Sequence, residues 1–210
     1  MSSKDRKERE TAHLREKILD AALRVFAAQG YGKVSMRKIA ALIDYSPTTI
    51  YRFFKNKGEL LETTVAGTFG DLSAKFARVK AEGNDDPLGA LKAMVREYTI
   101  YCVEHADMFR LFSDIASFEM EDGIMYERLG GTRYLVYQSW FACIRQSIGS
   151  GRLEMNDEVR VFLYLWDAVN GYIDHRIRYP RVPRKELTED TVEYLSLIFC
   201  GIEMNKITRP

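Results

Sequence analysis

The chain has 210 residues, 46% hydrophobic and 29% charged, an ordinary globular composition with enough length for one or two domains around a real core. No apolar run approaches the ~18 residues that cross a bilayer, and the charged segment from Met1 to Glu10 lacks the apolar centre of a secretory signal. Three widely spaced cysteines, Cys102, Cys143 and Cys200, fit reduced thiols rather than a disulfide framework, so a cytoplasmic protein without a membrane partner is expected.

The net charge of +1 conceals an asymmetry. Met1 to Gly58 carries 13 Lys and Arg against 6 Asp and Glu, a net of +7, and the remainder is net −6. A basic segment of this kind is suited to a polyanion, although a solvated basic face would look the same.

The elements read as helices throughout, with 3.6-residue apolar periods and no alternating strand pattern. Leu14, Ile18, Ala22, Val25 and Phe26 form a first stripe that stops at Gly30. Upstream, Lys4, Arg6, Lys7 and Arg9 read as a basic arm, more often disordered than specific. Ser35 is placed to cap a second helix carrying Met36, Ile39, Ala40 and Ile43. After the turn Ile43-Asp44-Tyr45, Ser46-Pro47 reads as an N-cap followed by proline at the first helical position of a short third helix, to about Phe53. A fourth helix is predicted from Asn56 or Lys57 to Lys80, a fifth from Asp86-Pro87 to Glu104 and a sixth from Asp107 to Met120. A seventh follows from Ile124 to Ile148, an eighth from Asp157 to Arg178, and a ninth from a Thr188 cap to Lys206.

Two short helices joined by a tight turn, the second polar at its start, have the layout of a helix-turn-helix. Ile39, Ala40, Ile50 and Phe54 can bury together, and Asp44 suits a turn position that needs a left-handed backbone. Arg37, Lys38, Thr48, Thr49, Tyr51 and Arg52 then share the outward face, mixing phosphate-seeking and base-edge-seeking groups.

Residues 15 to 60, from REKILDAALRVFAAQGY through SMRKIA to SPTTIYRFFKNKGEL, resemble the N-terminal domain of the TetR family of repressors. The resemblance implies that Ser35 caps the second helix at phosphate with Arg37 beside it, that Pro47, Thr48 and Thr49 face the major groove, that Tyr51 and Arg52 hold the backbone, and that Lys57 contacts phosphate. Ser46, as a helix start, offers backbone N–H groups to phosphate, and Lys38 belongs to the outward face. Asp44-Tyr45 stands where the family usually has Gly-Val, Thr48 where it has Gly or Ala, and Gly58 where it has an acidic residue. The expected architecture is all-α with about nine helices. A three-helix DNA-binding domain with the helix-turn-helix, residues 1–57, precedes a helical ligand-sensing and dimerisation domain, residues 58–210.

For pairing, which the family places on its last two helices, the eighth helix offers Phe162, Trp166, Val169 and Ile173, and the ninth Leu195, Phe199 and Ile202. Leu163, Tyr164, Leu197 and Cys200 give the same helices a second apolar side. Candidate effector-lining residues are Tyr98, Tyr101, Phe109, Phe112, Tyr134, Tyr137, Trp140, Trp166 and Asn170. Aromatic residues of an ordinary helical core would read identically.

The expected function is a homodimeric repressor on palindromic double-stranded DNA, released by a small and lipophilic effector of unknown identity. The alternatives are a DNA-binding regulator controlled by a protein partner and, remotely, a helical enzyme. Histidines at 13, 105 and 175 lack metal-ligand or catalytic spacing, and no phosphate-cradling loop occurs. No cofactor, metal or catalytic residue is therefore expected.

Overall fold

The computed structural model describes residues 3–82, 85–111, 123–153, 155–180 and 187–202; for residues 3, 68, 69 and 123–135 it describes the backbone alone. Regular structure among these residues is helical: α1 (Ser3–Gln29), a single 3-10 turn (Tyr31–Lys33), α2 (Met36–Leu42), α3 (Pro47–Tyr51), α4 (Lys57–Glu82) and α5 (Pro87–Glu104). Then come α6, described over residues 106–111, α7 (Gly123–Gly149), α8 (Glu158–Arg178) and α9 (Leu187–Cys200). The fold class read from the sequence is the one found. Several ends differ from expectation: α3 stops at Tyr51 instead of near Phe53, and α4 runs past Lys80 to Glu82. The basic arm containing Lys4 to Arg9 is helical, continuous with α1, and Arg6 pairs with Glu10 one turn on at 3.0 Å. The last helix begins at Leu187, one residue ahead of the expected Thr188 cap; Met120 and the predicted end near Lys206 lie outside the described residues.

The chain forms two compact units. One comprises residues 1–69 and 107–132, the other residues 70–106 and 133–210. In the first, Ile18, Ala21, Ala22, Val25 and Phe26 of α1 are buried with Ile39 and Ala40 of α2, Ile50 of α3, and Phe54. Full burial of one such aliphatic or aromatic side chain stabilises by about 1.5–3 kcal/mol, so this shared core sets the geometry of α2 and α3. In the second unit α5 packs on α8 and α9. Leu91, Met94 and Val95 of α5, Leu165, Val169 and Ile173 of α8, and Leu195 and Phe199 of α9 supply buried side chains.

The turn between α2 and α3 has a clear local cause. Asp44 has φ 61°, and the Tyr45 N–H bonds back to the Ala40 carbonyl at 3.0 Å while the Asp44 N–H reaches Ala41 at 3.4 Å. This is a Schellman closure, with aspartate at the left-handed position that glycine usually takes. Lys17 of α1 donates to the Ile43 carbonyl at 3.3 Å and lies 5.3 Å from the Tyr45 ring centroid, which ties the turn to the first helix. Because a Cβ at positive φ is strained, Asp44→Gly is expected to leave the fold intact and to stabilise it by a few tenths to about 1 kcal/mol. Asp44→Val is expected to cost about 1–3 kcal/mol. Urea denaturation of the two variants checks the sign of each change.

Candidate functional site

The reading surface is built on two capped helix starts. Ser35 accepts a hydrogen bond from the Lys38 N–H at 3.3 Å, and Ser46 accepts one from the Thr49 N–H at 3.2 Å, with Pro47 behind it at the first position of α3. Each serine satisfies one of the amides that a helix start leaves without a partner. Asn56 does the same for the Glu59 N–H at 2.9 Å, and the Glu59 carboxylate returns to the Lys55 N–H at 2.6 Å. With Ile50 buried as the anchor of α3, its other side chains are turned outward.

On this surface Ser35, Arg37, Lys38, Ser46, Thr48, Tyr51 and Arg52 are exposed, and Pro47 and Thr49 are half-buried. Tyr51 is 53% exposed and so is available to a partner. The Thr49 hydroxyl shares a 3.0 Å hydrogen bond with Ser46, which holds its rotamer. The Lys38 ammonium is hydrogen-bonded to Gln29.

Lys57 is the residue whose surroundings depart most from expectation. Its Nζ donates to the Tyr31 carbonyl at 2.8 Å and sits 4.0 Å from the Tyr31 ring centroid, and partial burial lowers its pKa. The ammonium is thus engaged within the protein rather than presented outward. Tyr45, exposed beside the α3 cap, and Leu42, exposed at the end of α2, join the candidate surface without having been singled out. The available signal was the placement of a large side chain immediately before the Ser46 cap.

In the second unit, the expected effector residues divide. Tyr98, Tyr137, Trp140 and Trp166 come together with Phe162 and Phe141 as a continuous aromatic cluster. Tyr98 meets Trp140 edge-on at 5.4 Å, Tyr137 meets Trp166 edge-on at 4.9 Å, and Phe162 stacks on Phe141 at 4.5 Å. The Tyr98 hydroxyl donates to Asn170 at 3.0 Å, and the Asn170 amide donates to the Trp166 carbonyl at 2.7 Å. Tyr101 lies apart against His105 at 4.3 Å; burial first, then Asp71 and Cys102, push its pKa up to about 12. Phe109 is buried in the other unit, and Phe112 and the side chain of Tyr134 lie outside the described residues.

Trp140 is completely buried, and among the described residues its indole Nε1 has no hydrogen-bond partner. An unpaired buried N–H costs about 1–3 kcal/mol. A groove of about 470 Å³ opens elsewhere, between α4 and α5, with Lys75, Arg78, Glu82, Arg96 and Glu97 among its walls.

The stripe expected to pair subunits is already covered by the chain itself. Phe162, Val169, Ile173, Leu195, Phe199 and Ile202 are buried, and Trp166 is half-buried in the aromatic cluster. A side chain with no exposed area has none left to bury against a partner. Val159, Leu163 and Tyr164 on α8, with Val192 and Leu197 on α9, are the exposed apolar groups, Leu197 reaching 71%. Helical periodicity showed both sides, and intrachain packing decides which of them is buried within the chain.

Catalytic and metal features are likewise accounted for. Asp174 pairs with Arg178 at 2.8 Å instead of with His175. No cluster of three or more possible metal ligands occurs among the described residues, and no described helix is long and apolar enough to cross a membrane. Cys102 and Cys143 are buried, with pKa values raised by burial; Cys200 is exposed.

In the groove, burial opposes ionisation of Glu97, but hydrogen bonds and charge from Lys75 at 3.0 Å and Arg96 at 3.2 Å outweigh it and hold its pKa below the usual 4.5. A carboxylate with a depressed folded pKa adds stability above its unfolded value and loses it as pH falls through the folded value. Glu97→Gln is expected to lower stability at neutral pH and to flatten its decline below pH 4.5. Denaturation curves of both proteins at neutral and acid pH check this, and parallel pH profiles would contradict it.

Residues 18–64 match the family model for bacterial regulatory proteins, tetR family. The HTH-type transcriptional repressor KstR of Mycolicibacterium smegmatis is 36% identical over 81 residues, which span 39% of this chain and 39% of that relative. The repressor KstR2 of Rhodococcus jostii is 22% identical over 195 residues, 90% of each chain. The structure of the ketosteroid transcriptional regulator KstR2 of Mycobacterium tuberculosis superposes with a TM-score of 0.74 at 18% identity, covering 91% of this chain and 95% of that one. These relatives are transcriptional regulators and not enzymes.

Proposed function

We propose that this chain, which belongs through residues 18–64 to the tetR family of bacterial regulatory proteins, is a transcriptional repressor that binds operator DNA as a homodimer and leaves it on binding a lipophilic effector. The observation that carries the DNA half is the exposed, capped α3 beside Arg37, Arg52 and Tyr51, held by the buried Ile50 against Ile39 and Ala40 of α2 and the core of α1. In this reading residues 1–57 bind DNA, and residues 58–210 sense the effector and pair. Pro47, Thr48 and Thr49 face base edges; Ser35, Arg37, Lys38, Ser46, Tyr51 and Arg52 hold phosphates. Lys57 contributes by fixing the start of α4 against Tyr31.

A five-residue α3 extends only about 7–8 Å, enough for a few base pairs, so useful affinity calls for two copies on a palindrome with half-sites a helical turn apart. The exposed groups on α8 and α9 supply an apolar surface for that pairing. The protein works in the cytoplasm, where its DNA is.

The name of the M. tuberculosis neighbour makes ketosteroids the first effectors to test. A second reading, a regulator without a small ligand and controlled by a protein partner, is favoured by the aromatic residues packing on one another rather than around a void.

Gel shifts against DNA flanking the chain's own gene test the proposal. A salt-sensitive shift relieved by a ketosteroid supports it, a shift that no lipophile relieves favours the second reading, and no specific shift overturns it. Within that assay Tyr51→Phe is expected to weaken binding about fivefold on every sequence, whereas Thr49→Ala changes which base pairs are preferred. Equal losses for both variants on all sequences would refute this division of roles.

Effector release requires a conformer that binds the effector better and DNA worse, with differential affinity on the order of 5 kcal/mol for a near-complete switch. α4 is the proposed transmitter. It carries Gly67 and Gly70, where an added Cβ would meet nothing within 4 Å, although interior glycine costs a helix about 1 kcal/mol relative to alanine. No packing among the described residues requires either glycine, and in this reading the pair gives α4 local pliability. The double variant Gly67→Ala/Gly70→Ala is expected to raise thermal stability, retain DNA binding and blunt effector release; undiminished release in the gel shift would remove α4 bending from the mechanism.

A further inference from the structure

We infer that Trp140 is a specificity residue whose indole N–H recognises a single oxygen acceptor, a ketone or ester carbonyl, on a neutral lipophilic ligand. The inference rests on the effector-binding reading above and names the chemistry of that site. It begins from an asymmetry in the aromatic cluster. The Tyr98 hydroxyl and the Asn170 amide satisfy each other, and the amide also reaches the Trp166 carbonyl. Trp140, enclosed by Tyr98, Phe162 and Trp166 with ring centroids 5.4–6.1 Å away, has no such partner among the described residues.

Ser147 also has an unpartnered buried hydroxyl, but a hydroxyl rotates and can turn to a backbone carbonyl one turn back on its own helix. An indole N–H is fixed in the ring plane. It gains a partner only when one is brought to it, and a core with no other role would be better served by phenylalanine at this position. Tryptophan donates and cannot accept, so its ligand atom is an acceptor.

The remaining chemistry of the cluster limits the ligand further. Its polar groups, the Tyr98 and Tyr137 hydroxyls, the Asn170 amide and the Trp140 and Trp166 indoles, are neutral. A carboxylate or phosphate buried among aromatic rings would stay unpaired at a large desolvation cost, whereas a carbonyl needs one donor. Tyr137 and Trp166 are half-buried, while Trp140 is fully enclosed. With Phe141, also half-buried, these rings form the exposed side of the cluster and are the ones that must turn to admit a ligand, which is conformational selection of an opened state.

The test uses full-length protein labelled with ¹⁵N-tryptophan, which gives two indole cross-peaks for the two tryptophans, assigned through Trp166→Phe. The probes are cyclodecanone and its parent hydrocarbon cyclodecane. The ketone is expected to move the Trp140 indole proton downfield and the hydrocarbon to leave it in place. The ketone should also bind about five- to tenfold more tightly than cyclodecane, a preference that Trp140→Phe abolishes while retaining the helical circular dichroism. The inference is overturned by a Trp140 proton that neither probe moves. It is overturned equally by one already downfield in the ligand-free protein and unmoved by ketone, since a bridging water would then hold the place. The wild-type spectra decide these outcomes even if the variant does not fold. If a lipophile releases DNA while the Trp140 proton is silent, the repressor reading stands and this inference fails. If the proton responds and no compound releases DNA, carbonyl recognition stands and the regulatory reading fails.

Discussion

The helix-turn-helix depends on one constraint: α2 and α3 are too short to exist alone, so their conformation is held by burying one side of each against α1. A helix of seven residues and one of five fall well below the length at which isolated helices persist in water. Ile39, Ala40, Ile50 and Phe54 therefore do more than fill space. They fix which residues of α3 face outward, and serine caps and the aspartate-centred turn refine what burial has already selected. Thr48, Tyr51 and Arg52 are available because Ile50 is not.

The same economy governs the second unit, with a different outcome. Helices α8 and α9 each carry apolar residues on two sides, and one side of each closes the chain's own core through Leu165, Val169, Ile173, Leu195 and Phe199. The other side, with Leu163, Tyr164 and Leu197, stays exposed. Beside it the aromatic cluster of Tyr98, Tyr137, Trp140, Phe162 and Trp166 satisfies its rings by edge and stacking contacts, and the hydroxyl of Tyr98 by Asn170. A single fully buried N–H in that cluster, the Trp140 indole, lacks a partner among the described residues, and it marks the place where the packing departs from that of an ordinary core.

The relatives differ in identity more than the fold does. Identity reaches 36% over 81 residues with one relative and falls to 22% over 195 residues with another, while the fold persists at 18% identity. A DNA-reading unit must keep its core, turn and outward residues together. A packed unit of helices needs mainly apolar positions at the right period, which many side chains can fill.

Local chemistry was legible in the amino-acid sequence alone. The helix starts at Met36, Pro47, Lys57 and Pro87, the left-handed Asp44 and the buried set Ile39, Ala40, Ile50 and Phe54 all follow from caps, proline placement and 3.6-residue periodicity, because those signals act within a few residues of one another. Three features required the tertiary structure. Lys57 turns toward Tyr31, 26 residues away, a distance that no local rule spans. The buried and exposed apolar sides of α8 and α9 are equivalent in periodicity, and only packing against α5 separates them. The solitary Trp140 N–H, finally, is defined by what surrounds it: a sequence states that a donor exists, and only the folded arrangement of its neighbours decides whether that donor has a partner.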